Sequence, residues 1–470
     1  MKKILVFSLG PIFKNHVHGG SQKVLREVSI GLGGKGHEVN IYCVEREDNN
    51  KPFRLSKNVM VFPILKFKQT FPAPYKTSPF NLWEIIKILN EQIKKHDVFY
   101  IHDAGLNLYE FSNKEIPTII SLRDFLYPET LLGAFNFRRD KIIVNSLHTS
   151  EGLKYSVKNF LPDIEERIEI IENGINLNLF KRVRPKKILK LLEKGLDKKD
   201  KVILYPHRPD PSKGIYQSLK IVSILKNKKG VKNIRMLIPH YVDEEITNDL
   251  SSHYENILKV AEELGIKDNI IFHKWVPYDL MPEYYSLGDL TLSIGNFIEA
   301  FGSNVGLESL ACGTPVIMSL VGAQRYTLPK GIVPKFPYGD EDEIVETAFE
   351  ILDKKTNFSH KKIRKFIEEK FSHQRMLENY EKTIVNAKIT PPLKLEFRKN
   401  KNDILIIAPW ACLTKFGIYS DYEYKYHKVS SKLREIFTNN SRVNLGEIKD
   451  KKLSQEISVL IEKGILVYES

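Results

Sequence analysis

The segment that decides the fold spans residues 299–317 and reads EAFGSNVGLESLACGTPVI. An apolar strand ends just before it, and Ser303 can cap the N-terminus of a helix whose apolar positions cover one side. Gly313 is placed to end that helix, and Val316 begins a second apolar strand. Glu299 therefore lies in a loop at the carboxyl end of a strand, where open parallel sheets bind ligands. The amides and the dipole of the helix N-terminus favour an anion such as a phosphate.

A basic loop follows another apolar strand, residues 202–205. The loop spans residues 206–214 and reads PHRPDPSKG. An arginine and a lysine held by prolines at the end of a strand suit a diphosphate, because Arg208 offers a planar fork and Lys213 a mobile point charge. The residues alone leave one alternative open for each segment. Residues 206–214 could be an ordinary basic turn, and the glutamates of residues 299–317 could be ordinary surface residues.

Together these segments resemble the signature of the retaining GT-B glycosyltransferases of family 4, the glycogen-synthase-like and sucrose-synthase-like enzymes. The resemblance implies that Glu299 holds hydroxyls of the donor sugar, that the amides of Phe301 and Gly302 touch the same sugar, and that Glu308 binds the ribose. Eight residues separate the two glutamates, where the family has seven. The donor-binding set implied for this segment is Phe301, Gly302, Ser303, Asn304 and Glu308, with Glu299, Arg208 and Lys213 as the catalytic set.

Two further segments match donor-side positions of the family. Gly19 and Gly20 follow the first apolar strand and precede a helix, and the family carries a Gly-Gly turn there, near the donor phosphates. Glycines at a helix start let the backbone approach a ligand closely. The resemblance also implies that the loop at Trp275 and Val276 contacts the nucleotide base, mainly through backbone groups.

The acceptor side carries the weakest match. Many relatives place a histidine after the strand that ends at Leu122, but this chain has Arg123 there, followed by Asp124. This pair could form an ion pair or bind an acidic acceptor. His102 ends the neighbouring strand, where a histidine is more often structural. His102, Arg123 and Asp124 are therefore predicted to lie on the acceptor side.

The order of strands and helices predicts an α/β protein with the GT-B fold, two Rossmann-like lobes facing a cleft. The N-terminal acceptor lobe should span residues 1–185, joined by a crossover helix at residues 371–388, and the nucleotide-sugar donor lobe should span residues 186–370. Residues 396–470 should form a small α+β domain that resembles a winged helix. In this C-terminal domain we expect helices at residues 425–437 and 454–463, and we favour a protein or peptide partner over nucleic acid because both charge signs lie on the second helix.

Composition limits the remaining choices. The chain has 470 residues, 42% hydrophobic residues and a formal net charge of +14. No run of eighteen apolar residues is present, and the first strand begins almost at the N-terminus, which predicts no membrane span and no signal peptide. Three scattered cysteines show no metal spacing. We expect a cytoplasmic protein, and its charge is compatible with peripheral contact with the anionic inner face of the membrane.

These observations predict a hexosyltransferase-type enzyme that moves a sugar from a nucleoside-diphosphate sugar to a sugar, lipid-linked or polymer acceptor. The resemblance implies retention of configuration. No Asp-x-Asp motif serves the diphosphate, so we expect no metal and no cofactor besides the donor substrate. The main alternative is a nucleic-acid-binding regulator with a transferase-like body. A sugar-nucleotide epimerase of the same two-lobe build is a third option without a clear sequence counterpart.

Overall fold

The structure is a computed structural model. It describes residues 1–15, 17, 19–67, 77–103, 115–123, 133, 135–240, 244–298, 301–354, 358–396 and 403–469, and for residues 244–253 it describes the backbone alone. The described chain divides into two units. The first holds residues 1–173, 374–420 and 425–470, and the second holds residues 174–373 and 421–424. The chain thus passes from the first unit to the second at residue 174, before the predicted domain boundary at residue 185.

The first unit contains an eight-stranded sheet with the order β3-β4-β2-β1-β5-β6-β7-β8. All neighbouring strands are parallel except β3 and β4. The central strands are nearly continuous apolar runs because helices cover both faces of such sheets. The strands are β1 (Lys3–Ser8), β2 (Glu38–Val44), β3 (Phe53–Ser56), β4 (Val59–Leu65), β5 (Val98–His102), β6 (Thr118–Leu122), β7 (Lys141–Val144) and β8 (Ile168–Ile170), and the helices are α1 (Gly20–Gly34), α2 (Pro79–Ile93) and α3 (Leu147–Val157).

The second unit is built on a parallel six-stranded sheet with the order β11-β10-β9-β12-β13-β14. Its strands are β9 (Lys201–Leu204), β10 (Ile234–Pro239), β11 (Ile270–His273), β12 (Leu290–Ser293), β13 (Val316–Ser319) and β14 (Lys335–Phe336). Its helices are α4 (Ile215–Asn227), α5 (Glu244–Glu263), α6 (Met281–Leu287), α7 (Asn304–Ala311), α8 (Gln324–Thr327), α9 (Glu341–Leu352) and α10 (His360–Phe371). One apolar cluster covers each face of the sheet. Alternation of strand and helix with parallel pairing is the Rossmann-like pattern that the sequence predicts.

The predicted crossover helix is interrupted at Ser372. Helix α10 ends at Phe371 in the second unit, and α11 (His373–Val385) packs Met376, Tyr380 and Ile384 into the core of the first unit. The chain passes from the first unit to the second at Gly174, and Ile175 pairs there with Ser372. A Cβ atom on Gly174 would lie 2.7 Å from backbone atoms of Ser372 and His373, so only glycine fits.

The C-terminal segment differs from the prediction at its first helix. Residues predicted to begin a helix at 425 instead form strand β18 (Lys425–His427), and the helix, α12, spans Ser431–Asn439. Apolar runs at residues 403–408 and 464–468 predict two strands, which the structure confirms, but the other four strands of two three-stranded antiparallel sheets were not predicted. The two sheets contain β15 (Ile404–Ile407), β16 (Ala411–Thr414), β17 (Gly417–Ser420), β19 (Val443–Asn444) and β20 (Leu466–Tyr468) in addition to β18, in the orders β19-β15-β20 and β16-β17-β18.

The second predicted helix of this segment is confirmed as α13 (Lys451–Glu462). Leu433, Ile457 and Leu460 are buried in one small apolar cluster, which the helical spacing predicts. Across the described ranges, we find no helix whose length and apolarity would suffice to cross a membrane.

Candidate functional site

The second unit brings three loops to one edge of its sheet. Strands β9, β12 and β13 are neighbours and run parallel, so the loops that follow them share the carboxyl edge. The described parts of these loops contain Arg208 and Lys213 after β9, residues 294–298 and 301–303 after β12, and residues 320–323 after β13. The edge is the ligand-binding position of open α/β sheets.

The basic loop after β9 is fixed by its own side chains. The hydroxyl of the fully buried Tyr205 donates to the carbonyl oxygen of Arg208 at 3.1 Å. Burial, and secondarily Asp210, raises the pKa of Tyr205 well above its ordinary value, so this donor stays protonated. The Asp210 carboxylate accepts from the amide of Ser212 at 2.8 Å and from its hydroxyl at 2.6 Å. The backbone that carries Arg208 and Lys213 is therefore held before any ligand arrives.

Two glycines let this loop pack against the loop after β12. A Cβ atom on Gly295 would lie 2.2 Å from the carbonyl oxygen of Ser212. Gly214 has φ +83°, and a Cβ atom there would lie 2.8 Å from the amide nitrogen of Gly295. The amides of Asn296 and Phe297 both donate to the Ser212 carbonyl, at 2.9 and 3.0 Å. The two loops consequently form one rigid edge.

The Lys213 ammonium lies 3.6 Å from the centroid of the Phe297 ring. A cation at this distance from an aromatic face is attracted by the ring quadrupole. The lysine is therefore directed toward the loop after β12. Neither Phe297 nor Gly295 was singled out from the sequence, although the Ile-Gly-Asn-Phe run directly after a strand marks a loop with a special glycine.

The turn before α7 has an uncommon backbone. Gly302 has φ +109° and Ser303 has φ +154°, and the Ser303 hydroxyl caps α7 by accepting from the amide of Gly306 at 2.9 Å. A non-glycine residue with positive φ is unusual and often marks a functional site. The Phe301 side chain is buried in the core, where its ring meets Phe371, so the backbone is the part of Phe301 that this turn can offer a ligand. Asn304 begins α7. Glu299 lies outside the described residues.

Glu308 is a buried carboxylate in the middle of α7, 9% exposed. Tyr285 of α6, itself fully buried, donates its hydroxyl to Glu308 Oε2 at 3.0 Å. Burial, and next the charge of Glu308, raises the pKa of Tyr285 well above its usual value, which keeps the donor proton in place. The sequence indicates that Glu308 needs a polar partner, but it does not reveal Tyr285, because the two lie on different helices.

Trp275 and Val276 lie in the loop after β11. The Trp275 side chain is 48% exposed, whereas Val276 is buried. His273 ends the strand before them, and burial lowers its pKa to about 4. Its Nδ1 lies 2.8 Å from the Lys274 carbonyl oxygen, so it is the protonated nitrogen of a neutral ring. The loop thus presents the exposed indole of Trp275 to solvent and is held in place by the buried side chain of Val276.

The first unit places Gly19 as the N-cap of α1 and Gly20 as its first residue. Gly19 is extended, and a Cβ atom there would approach the Gln22 side chain to 3.1 Å. Gly10, just after β1, has even less room for a side chain, since a Cβ atom added there would lie 2.0 Å from Gln22 Nε2. The two segments therefore approach closely where the family-derived prediction puts donor phosphates.

His102 is the centre of a buried polar network in the first unit. Tyr100 lies 2.9 Å from His102 Nδ1, and the Ser21 hydroxyl lies 3.0 Å from Nε2. Ser21 donates to Asp103 at 2.8 Å, so it accepts from the protonated Nε2 of His102. Burial, reinforced by the charge of Arg123, lowers the pKa of His102 to about 3. His102 is therefore a neutral residue that ties β5 to the start of α1.

Arg123 is also buried. Its guanidinium donates to the Tyr380 hydroxyl at 2.9 Å and to the side-chain oxygen of Asn173. These contacts join the end of β6 to α11, and they favour a structural role for this side chain. The acceptor-side roles of His102 and Arg123 remain predictions, and Asp124 lies outside the described residues.

Two family models match the chain. Residues 18–179 match the model described as "Glycosyltransferase Family 4", and residues 188–382 match "Glycosyl transferases group 1". The matches follow each other along the chain and contain every candidate site residue that the sequence analysis names. The chain belongs to this glycosyltransferase family.

Individual relatives of this glycosyltransferase are distant. The chain is 30% identical to a D-inositol 3-phosphate glycosyltransferase of Segniliparus rotundus over 158 residues, which is 33% of this chain and 32% of that protein. It is 22% identical to the putative glycosyltransferase YtcC of Bacillus subtilis over 313 residues, 64% of this chain and 70% of that protein. The chain thus spans about a third of the length of the first of these relatives.

Solved structures of similar fold include a sucrose-phosphate synthase from Thermosynechococcus elongatus, with a TM-score of 0.62 and 17% identity, covering 81% of this chain and 97% of that one. HepE from Anabaena, in complex with UDP and glucose, gives a TM-score of 0.61 and 17% identity over 82% of this chain and 99% of that one. At this identity the likeness shows the fold, which is the GT-B arrangement of two Rossmann-like lobes.

Proposed function

We propose that this glycosyltransferase moves a sugar from a nucleoside-diphosphate sugar to an acceptor hydroxyl, with retention of configuration and without a metal ion. The observation that carries the proposal is the rigid edge formed by the loops after β9 and β12. It holds Arg208 and Lys213 half-buried at the carboxyl end of the sheet, where a diphosphate can be bound. The family matches support the same reaction class.

The chemistry requires charge stabilisation at the leaving group. The bond between the anomeric carbon and the diphosphate oxygen breaks, and negative charge builds on that oxygen. Arg208 and Lys213 neutralise it, and the amides at the N-terminus of α7 add a fixed dipole, so that no metal is needed. The new bond joins the anomeric carbon to the acceptor oxygen, and the acceptor proton passes to the leaving phosphate. Attack on the face from which the phosphate departs retains the configuration.

The remaining donor contacts follow from the family resemblance. Glu308 binds the ribose, Glu299 and the backbone of the 301–302 turn hold the sugar, and the loop at Trp275 holds the base. Backbone contacts barely distinguish one base from another, so the identity of the donor's nucleotide base has to be determined by experiment. Because the HepE structure contains UDP and glucose, uridine donors are the first to test. Acceptors to test are simple sugars, lipid-linked sugars and polymers.

A donor panel tests the proposal. The full chain is heated with UDP, GDP and ADP and with their glucose, mannose and galactose derivatives, with and without excess EDTA. We expect one base to raise the unfolding temperature, and the corresponding sugar nucleotide to release its diphosphate in the presence of an acceptor. Absence of stabilisation by every nucleotide would overturn the proposal. The anomeric configuration of the product, read by NMR coupling constants, tests retention separately.

Two finer assignments belong to this proposal. The C-terminal domain, residues 396–470, is proposed to bind a protein or peptide partner as a winged-helix-like module. A groove of about 420 Å³ between β18 and α13 supports this, and its lining carries three lysines with Glu456 and Val459. An acidic peptide should bind the full chain in a salt-sensitive way and a basic peptide should not, whereas equal binding of both would contradict the assignment.

The net charge of +14 supports peripheral contact with an anionic membrane face in the cytoplasm. Co-sedimentation with phosphatidylserine vesicles but not with phosphatidylcholine vesicles is the expected result. Equal recovery with both vesicle types would remove this assignment. Neither the family matches nor the structural relatives favour the nucleic-acid-binding alternative.

A further inference from the structure

The turn of the hairpin between β17 and β18 belongs to the second unit, although both strands belong to the first. The turn spans residues 421–424, and its first residue, Asp421, is completely buried. A buried carboxylate at the tip of a hairpin is costly unless it is paired and hydrogen-bonded.

Asp421 is paired with Arg325 of α8. Arg325 Nη1 donates to Asp421 Oδ1 at 2.9 Å, and Nη2 donates to Oδ2, so the contact is bidentate. The amide of Gly322 also donates to Oδ1, at 3.3 Å. The Arg325 side chain is 7% exposed. A buried bidentate contact fixes the orientation of the two side chains as well as their distance. Because Asp421 contacts both Gly322 and Arg325, it holds both ends of the segment between them.

The same segment holds the turn before α7. Thr327, the last residue of α8, donates its hydroxyl to the carbonyl oxygen of Phe301. A Cβ atom on Gly302 would lie 2.3 Å from Thr327 Oγ1 and 2.9 Å from the Ala323 carbonyl oxygen. The turn therefore packs so closely against α8 that no side chain fits between them. Asp421 is thus connected to the 301–303 turn through a continuous series of short contacts.

We propose that Asp421 is a positioning residue for the donor site, and that it acts through α8 and Thr327 on the turn at residues 301–303. This inference rests on the proposed function for its consequence, which is weaker donor binding when Asp421 is changed. No donor motif lies beyond the family match at residue 382, yet a chain ending near residue 390 would lose Asp421 and leave Arg325 buried without this carboxylate.

The test compares four full-length variants. Asp421→Asn keeps the shape of the side chain and removes its charge. Thr327→Val leaves the Asp421–Arg325 pair intact and removes the hydroxyl that holds Phe301, so it keeps the proposal testable if Asp421→Asn folds poorly. The third variant combines both changes. Lys432→Met is the matched control, because it breaks an ion pair with Asp450 at 2.9 Å on the surface of the C-terminal domain.

Two readouts are measured at a temperature where circular dichroism shows each variant folded. Titration calorimetry gives the affinity for UDP, GDP and the sugar nucleotide of the matching base. We expect each single variant to lose roughly tenfold in affinity for the sugar nucleotide, the size of about one lost hydrogen bond, and Lys432→Met to lose nothing. The double variant should be no weaker than the weaker single variant, because both changes act on one series of contacts. Wild-type affinity in both single variants, or losses that multiply in the double variant, would overturn the proposal.

Hydrogen exchange of the amides of residues 301–307 is the second readout and needs no donor. Exchange should be about tenfold faster in Asp421→Asn and Thr327→Val than in the wild type, and unchanged in Lys432→Met. If the wild type binds none of the nucleotides, the proposed function fails, and exchange alone then decides the role of Asp421. Unchanged exchange in both single variants would overturn the positioning role of Asp421.

Discussion

The hydrogen bond between Tyr285 and Glu308 offers a prediction with an internal control. Tyr285→Phe removes the hydroxyl that donates to Glu308 Oε2 at 3.0 Å and leaves the ring, which packs beside Phe180 and Tyr284. The acceptor is a carboxylate that is 9% exposed. A hydrogen bond to a charged group contributes about 1.5–3 kcal/mol. We therefore expect the free energy of unfolding to fall by about 1.5–3 kcal/mol.

The same change should weaken donor binding. Glu308 is proposed to bind the ribose, and a carboxylate that is no longer oriented by Tyr285 should raise the donor KM roughly tenfold. The turnover number should change much less, because a ribose contact is similar in the ground state and the transition state. Urea unfolding gives the stability, and initial rates over a range of donor concentrations separate KM from kcat.

The neighbouring tyrosine is the control. Tyr284 is also buried, but within the described residues its hydroxyl has no hydrogen-bond partner. Tyr284→Phe removes an unsatisfied polar atom at the same depth, so stability should stay equal or rise. A Tyr285→Phe variant as stable as the wild type, or a Tyr284→Phe variant that loses as much stability as Tyr285→Phe, would contradict this prediction.

Three further predictions follow from the described contacts. Phe297→Leu should lower turnover about two- to thirtyfold, because a cation–π contact of about 0.5–2 kcal/mol no longer directs Lys213; single-turnover kinetics measure this, and an unchanged rate would contradict it. Stability should fall as the pH drops from 6.5 toward 4, because His102 and His273, with pKa values of about 3 and 4 in the fold, must stay neutral there while the unfolded chain takes up their protons. Each of the two histidines should lower the free energy of unfolding by up to about 1.4 kcal/mol per pH unit. Equal urea midpoints at pH 7.5 and 5.5 would argue against this pH dependence. Transfer should persist in excess EDTA, and a loss that magnesium or manganese restores would refute the metal-free mechanism.

Much of the fold of the second unit can be predicted from sequence because the signals are local. Ser303 caps α7 as its spacing indicates, and Gly313 follows the last turn of that helix with φ +85°. The strands before and after it lie where apolar runs are bounded by turn residues. Position relative to a strand end then suffices to bring Arg208, Lys213 and Glu308 into one unit.

The remainder depends on contacts between residues distant in sequence. Tyr285 and Asp421 show no local sign of their partners, Glu308 and Arg325, because an ordinary tyrosine and aspartate reveal nothing until the helices pack. The predicted start of the helix at residue 425 was wrong, although the helix itself is present as α12, because Lys425–His427 pairs as a strand with β17 and this pairing overrides local preference. The roles of Glu299 and Asp124 remain predictions, since both lie outside the described residues.

The central claim is that Arg208 and Lys213 neutralise the leaving diphosphate, and single-turnover transfer rates test it most directly. Arg208→Ala and Lys213→Ala are compared with Lys220→Ala, which removes an exposed lysine from α4 of the same unit. A charge-assisted contact made in the transition state is worth about 2–4 kcal/mol, so each of the first two variants should react about thirty to a thousand times more slowly than the wild type, while Lys220→Ala reacts at the wild-type rate. Wild-type rates in both Arg208→Ala and Lys213→Ala, with intact folds by circular dichroism, would contradict the account.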